Sequence, residues 1–181
     1  MDPGWYDDLV ARIRALPGGI RLVAVDGCGG AGKSTLAARL AADLDGAPIL
    51  RTDDFASWDN SLDWWPRMLV EAIQPLANGA AARFQRYDWE ASRLGGEVVV
   101  EPAPVVIIEG VSASRVEWAH MLSFAIWVET PRDVRLRRGL QRDGAAALPL
   151  WEQWMADEAD YVARDRPDVR ADVVVDGTSE R

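Results

Sequence analysis

Lysine is almost absent from this chain of 181 residues: of its 20 lysine and arginine side chains, one is lysine, Lys33. Cysteine is represented only by Cys28, so no internal disulfide can form. The one histidine, His120, reads most simply as a residue on a helix surface. Net positive charge is missing too. The formal charge is −9, which argues against general nucleic-acid binding, because that depends on neutralising phosphates. No apolar run is long enough to span a membrane. The first residues carry Asp7, Asp8, Arg12 and Arg14 where a signal peptide would need an apolar core. A soluble, cytoplasmic protein is expected. Internal repeats are absent, and low complexity is limited to short alanine clusters. About half the residues are hydrophobic (49%), so disorder is not expected, and a chain of this length can bury a full core. One domain over residues 1–181 is expected, with residues 1–19 as a lead-in helical segment.

The lone lysine stands in Gly27-Cys28-Gly29-Gly30-Ala31-Gly32-Lys33-Ser34, followed by Thr35. This is the Gly-x-x-x-x-Gly-Lys-Ser/Thr pattern of a phosphate-binding loop. A lysine ammonium is a compact point charge on a flexible stem, whereas a guanidinium is planar and bulky. The chain thus leaves its arginine habit where a charge must reach phosphates from inside a tight glycine loop. The flanks agree. Ile20 to Val25 is a short apolar run rich in β-branched residues and reads as a buried strand. Leu36, Ala37, Leu40, Ala41 and Leu44 follow the loop at helical spacing. Glycines let successive N–H groups turn inward around an anion, and the helix N-terminus adds partial positive charge. Residues 27–35 therefore read as the nucleotide-phosphate site. Ser34 is placed to put its hydroxyl on a magnesium ion. The Lys33 side chain is expected to face solvent before nucleotide binds. Cys28 has two readings: a thiolate favoured by the N–H groups around it, or inert filler.

Further strands are expected at Ile49–Arg51, Val105–Ile108, Ala125–Val128 and Asp172–Val175, with a strand pair, Arg83–Asp88 and Glu97–Glu101, around Gly95-Gly96. Helices are expected at Trp5–Leu16, Trp64–Ala77 (with Pro75 kinking its last turn) and Asp133–Arg142. Another opens at Pro149, with an apolar face of Trp151, Trp154, Met155, Ala159 and Val162. Strands alternating with helices imply an α/β fold: a parallel sheet covered by helices on both faces, in three layers. Residues 143–148 supply a small lid tip.

In such sheets ligands bind beyond the carboxyl ends of the strands. The first strand leads into the glycine loop, the second into Thr52-Asp53-Asp54-Phe55, and the Ile107-Ile108 strand into Glu109-Gly110. All three sets should meet at one cleft. Glu109 reads as the acidic partner that orients magnesium, or as a strand-end carboxylate facing water. Asp53 could accept the proton of a hydroxyl that attacks a γ-phosphate; a turn or capping aspartate is the other reading, and spacing does not separate it from Asp54. Arg135, Arg138 and Arg142 share a helix face at three- and four-residue spacing. Pointed at the cleft they would stabilise a transferring phosphoryl group; the other reading is a solvated basic face. Trp127, Trp151 and Trp154 fall at core-like positions, and Trp58, Trp64, Trp65 and Trp89 in segments expected near the cleft.

These motifs resemble the uridine kinase-like branch of P-loop kinases, which includes uridine–cytidine and nicotinamide riboside kinases. The resemblance runs from about Arg21 to Gly177. Thr52-Asp53-Asp54-Phe55 is similar to that family's Asp-Asp/Ser-Phe segment, which implies that Asp53 is the base for the acceptor hydroxyl. Ile107-Ile108-Glu109-Gly110 is similar to its Glu-Gly segment, which implies that Glu109 serves magnesium. The segment from Trp127 to Asp143 resembles its strand-to-lid region and implies that Arg135, Arg138 and Arg142 face the phosphates or acceptor. Tyr87-Asp88-Trp89 resembles the Tyr-Asp-Phe of its base-binding hairpin, which implies that Tyr87 and Trp89 contact the acceptor. Departures are present: Ser92 and Arg93 stand where uridine kinases carry a histidine, and Arg138-Gly139 where paired arginines are common. The implied activity is a kinase that uses ATP and Mg2+ to phosphorylate a hydroxyl of a small-molecule acceptor, in the first place a nucleoside. Other readings are a non-nucleoside hydroxyl such as an antibiotic, and a nucleoside monophosphate kinase using Arg51, Arg83 and Arg86. A nucleotide-dependent switch is the reading from another class. Homo-oligomerisation is left open.

Overall fold

A computed structural model of the protein describes residues 4–178; residues 1–3 and 179–181 of the expected domain lie outside the described residues. A lead-in helix, α1 (Trp5–Arg14), precedes β1 (Arg21–Asp26), the glycine loop and α2 (Lys33–Asp43). Then come β2 (Ile49–Arg51), a 3-10 turn (Thr52–Asp54) and a helical stretch over 65–77. An antiparallel hairpin, β3 (Ala82–Asp88) and β4 (Arg93–Val100), leads to β5 (Val105–Glu109). The chain closes with β6 (Phe124–Glu129), α5 (Arg132–Asp143), α6 (Leu148–Asp165), α7 (Pro167–Arg170) and β7 (Val173–Asp176).

Five strands form one parallel sheet in the order β2-β5-β1-β6-β7. Successive strand residues face opposite sides, so each strand feeds two cores. Val23, Val25 and Ile107 pack with Leu9 and Ile13 of α1 and Leu36 and Leu40 of α2. Leu22, Ala24, Val106 and Ile108 pack on the other face with Met68, Ile73 and Trp118. This is the three-layer α/β fold expected for a phosphate-loop protein. Because β1 is central, with β5 beside it and β2 beyond β5, all parallel, the loops after these three strands open at the same edge. Among the described residues no helix is long and apolar enough to cross a membrane.

Three local differences have physical causes. Gly95 and Gly96 lie inside β4, and the hairpin turns at 89–92 instead. The Asp88 carboxylate accepts the N–H groups of Glu90 and Ala91, and Ser92 takes the left-handed conformation (φ 52°). The 65–77 helix runs as α3 (Trp65–Met68), a wide π turn (Leu69–Ile73) and α4 (Gln74–Ala77). Pro75 lacks the N–H that would continue an even helical ladder, and the wide turn falls just before it. The inner face of α6 is Trp151, Met155, Glu158, Tyr161 and Asp165, while Ala159 is exposed. Glu158, Tyr161 and Asp165 are on this face because it meets the Gly29 and Val116 N–H groups and the Asp26 carboxylate as well as apolar side chains.

Candidate active site

The glycine loop passes from β1 into α2 through Gly32, whose left-handed backbone (φ 97°) would strain any side-chain-bearing residue. Gly29, Gly30, Gly32, Lys33, Ser34 and Thr35 line a cleft of about 820 Å3; Gly27 and Ala31 are buried behind them. Lys33 does not face solvent as expected. It is 7% exposed, and its Nζ donates to the Cys28 carbonyl at 3.0 Å. Burial, and next the Glu158 carboxylate, push the Cys28 thiol up to about 12, so the thiolate reading of Cys28 is not supported.

Asp26, at the end of β1, is 1% exposed. Its Oδ1 accepts the N–H groups of Gly27 (2.7 Å) and Ser112 (3.0 Å). Its Oδ2 accepts the Ser114 N–H (2.8 Å), the Ser114 hydroxyl (2.7 Å) and the Tyr161 hydroxyl (2.6 Å). A buried carboxylate is costly unless it is hydrogen-bonded, and these donors satisfy it. Glu158 of α6 is a second anchor: its Oε1 accepts the Gly29 N–H at 2.7 Å and its Oε2 meets Arg135 Nη1 at 3.1 Å. The sequence reading missed both residues. For Asp26 the signal is a carboxylate closing the apolar run Leu22 to Val25; for Glu158 it is a carboxylate spaced with Trp151, Met155 and Tyr161 on one helix face.

The other side of the cleft comes from β2 and β5. Glu109, 5% exposed, accepts the Ser34 hydroxyl on Oε1 (3.0 Å) and pairs through Oε2 with Arg51 (2.9 Å). Burial raises its pKa above the ordinary glutamate value, opposed first by the positive charge of Lys33. Two hard oxygen groups side by side suit magnesium, which takes few protein ligands. The Asp53 side chain is exposed and lines the cleft. Asp54 is half-buried outside the lining, with its pKa raised by burial and then by Asp53. The structure therefore separates two aspartates that spacing left together.

The arginine face divides. Arg142 lines the cleft, pairs with Asp143 (2.7 Å) and lies over the Trp151 ring at 5.6 Å. Arg135 and Arg138 do not reach the cleft lining, contrary to expectation. Arg135 Nε donates to the Thr130 carbonyl (3.1 Å) besides pairing with Glu158. Arg138 donates to the carbonyls of Gly30 (3.2 Å) and Gly177 (3.0 Å). Helical spacing placed them on one face, but the first two turns of that face meet the back of the glycine loop. Gly139 follows because the Trp151 ring occupies the space a Cβ would need.

Tryptophans close the far end. Trp58 and Trp154 stack at 5.8 Å and 13°, and Trp89 stands edge-on to Trp58 at 5.0 Å. The Trp89 Nε1–H donates to the Asp53 carbonyl (3.2 Å), which ties the hairpin to the segment carrying Asp53. Tyr87 lies edge-on to Trp89 at 5.1 Å and outside the cleft lining. Trp64 is buried but reaches the cleft; Trp65 does not line it. Trp154, expected in the core, is half-buried and lines the cleft.

A parallel sheet, a glycine loop wrapped for phosphate and acidic side chains at the neighbouring strand ends define the phosphate-loop class of nucleotide-binding proteins. The model of the phosphoribulokinase/uridine kinase family matches residues 65–180, and the chain belongs to that family. That match starts after the glycine loop, so the two observations are independent. A uridine kinase of Halobacterium salinarum is 30% identical over 138 residues, 67% of this chain and 61% of that protein. A uridine kinase of Escherichia coli is 36% identical over 78 residues, 42% of this chain and 37% of that protein. The alignments thus span less than two thirds of either relative. A solved structure described as a possible uridine kinase from Bacillus stearothermophilus shares the fold, with a TM-score of 0.69 at 21% identity, covering 94% of this chain and 97% of that one.

Proposed function

We propose that this protein is an ATP-dependent kinase that transfers the γ-phosphate to a hydroxyl of a small molecule, with a nucleoside as the acceptor class its relatives suggest. The observation that carries the reading is the meeting of Lys33, Ser34, Asp53 and Glu109 on one cleft. Loop N–H groups and the start of α2 hold the phosphates. Lys33 swings from the Cys28 carbonyl onto the phosphate oxygens, where charge grows during transfer. Asp53, solvent-accessible and facing the cleft, takes the proton from the acceptor hydroxyl. Arg142 leaves Asp143 to meet the phosphoryl group, and the turn over 143–148 acts as the lid that excludes water. Ser34 and Glu109 would hold Mg2+, which supplies charge neutralisation on the phosphates. Arg135 and Arg138 brace the loop from behind. The whole chain acts as one kinase domain in the cytoplasm, where ATP is available.

The monophosphate-kinase reading loses support. Arg51 is paired with Glu109, Arg83 lies 3.9 Å from Glu97 on the hairpin, and neither they nor Arg86 line the cleft. The test is ATP consumption with and without a panel of nucleosides and other small alcohols, with product identified by mass. Stimulation by a hydroxyl compound and a monophosphorylated product are expected. Slow hydrolysis that no acceptor changes would select the nucleotide-switch reading instead.

A further inference from the structure

Two carboxylates hold the glycine loop, and they differ in where they stand. Asp26 is behind the loop. It is 1% exposed, stays out of the cleft lining and is satisfied by donors from Gly27, Ser112, Ser114 and Tyr161. Glu158 stands in front. It lines the cleft beside Gly29, Gly30, Gly32 and Lys33, and its Oε1 accepts the Gly29 N–H at 2.7 Å. A Cβ on Gly29 would lie 2.9 Å from that oxygen, so the glycine is what lets the carboxylate come so close. A loop of inward-turned N–H groups is built for an anion. Here the anion on one of those groups is a carboxylate of the chain itself.

The surroundings of Glu158 make it a rival for phosphate. It is faced by Cys28 from the loop, Lys33 from α2 and Arg135 from α5, the last at 3.1 Å. Other charges nearby are turned elsewhere. Arg138 donates to the carbonyls of Gly30 and Gly177, and Asp157 accepts the Ser61 hydroxyl and the Gln153 amide. Burial raises the Glu158 pKa above the ordinary glutamate value, opposed by the Gly29 N–H, Lys33, Arg135 and the Cys28 thiol. A polyphosphate seated in the loop would bring further negative charge beside this mostly buried carboxylate. Like charges repel more strongly there than in water.

We propose that Glu158 competes with the nucleotide for the phosphate loop: its carboxylate holds the Gly29 N–H and has to release it for the phosphates of ATP to seat. The inference rests on the phosphate-loop reading of residues 27–35 and gives Glu158 a part in setting donor affinity. Titration calorimetry of magnesium–ATP on the full chain tests it, with wild type, Glu158→Gln, Glu158→Ala and Asp157→Asn, each checked for folding by its melting transition. Glu158→Gln removes the charge and keeps an acceptor; Glu158→Ala frees the N–H as well. Both leave Arg135 unpaired beside the loop, which adds to the attraction for phosphate. At pH 8 both should bind magnesium–ATP about three- to thirtyfold tighter than wild type, and either folded variant is sufficient. Asp157→Asn removes a neighbouring cleft charge that does not touch the loop, and it should change affinity by less than about twofold. The advantage of Glu158→Gln should shrink as pH falls from 8 to 5, because the wild-type carboxylate approaches its raised pKa and loses its charge while glutamine does not titrate. Unchanged or weaker binding by the Glu158 variants would make Glu158 a brace of the loop and overturn the proposal, with the kinase reading intact. An equal gain from Asp157→Asn would overturn it too, since cleft charge in general would then set affinity. Failure of every protein, wild type included, to bind magnesium–ATP would overturn both the proposal and the phosphate-loop reading beneath it.

Discussion

With its ammonium on the Cys28 carbonyl, Lys33 takes part in the structure of the nucleotide-free loop as well as in its proposed chemistry. Lys33→Ala should therefore do two things. Phosphotransfer should be lost, and thermal stability should fall by the value of one hydrogen bond, about 0.5–1.5 kcal/mol or about 1–6 °C. A calorimetric scan beside a turnover assay separates the effects; near-normal turnover would remove Lys33 from the mechanism. Cys28 makes a prediction of the opposite kind. A thiol with its pKa pushed up to about 12 is almost wholly protonated at pH 8, with about one molecule in ten thousand ionised. Alkylation of the native protein should be slow and should keep rising with pH up to the limit of folding. A rate that levels off below pH 9 would show a stabilised thiolate. The two loop residues also mark what sequence can carry. The motif names both positions, but what surrounds the thiol depends on Glu158 of α6, which is distant in the chain.

Helix α6 is the element whose role was least legible. Its apolar residues are visible at helical spacing, yet its inner face bonds to Asp26 through Tyr161 and to Gly29 through Glu158. A pattern of apolar positions shows which residues turn inward, not that a carboxylate among them meets a backbone N–H. The arginines of α5 illustrate the same limit: their shared face is legible, but the loop backbone it packs on is not. The Arg135–Glu158 pair is mostly buried, with side-chain exposures of 13% and 9%, so its halves should respond differently. Arg135→Met leaves a buried carboxylate without its cation and should cost about 3 kcal/mol, roughly 6–12 °C. Glu158→Gln keeps an acceptor for the Gly29 N–H and should cost much less at neutral pH. Burial raises the Glu158 pKa above the ordinary glutamate value. Its contribution to stability is therefore fully present below that value and is lost as pH rises through the folded one. Melting temperatures between pH 4 and 8 should show Glu158→Gln gaining on the wild type as pH rises; a gap that moves the other way would mean the ion pair outweighs burial. Gly139→Ala should destabilise by about 1–3 kcal/mol, because its methyl group would enter the space of the Trp151 ring. Unchanged stability there would show that α5 and α6 are free to part.

The sheet order is what joins these parts. Strands β2, β5 and β1 are neighbours, so Asp53, Glu109 and Lys33, far apart in sequence, stand at one edge. That much was legible: each strand is a short apolar run, each is followed by a chemically loaded loop, and a parallel sheet sends all such loops to one side. The tryptophan end was legible only as a collection of residues. Its arrangement depends on the hairpin, the segment after the 3-10 turn and α6 meeting in space, and no local pattern specifies that meeting. The same meeting gives Asp53 its place, through the Trp89 indole on its carbonyl, and leaves Asp54 outside. The most direct test of the account is a paired measurement on Asp53→Asn and Asp54→Asn, reading phosphorylation of the best acceptor and binding of magnesium–ATP. If Asp53 is the base, its asparagine variant should bind ATP normally and lose roughly two to four powers of ten in acceptor phosphorylation, while Asp54→Asn stays within an order of magnitude of wild type. A dead Asp54→Asn beside a nearly normal Asp53→Asn, or no effect from either, would contradict it.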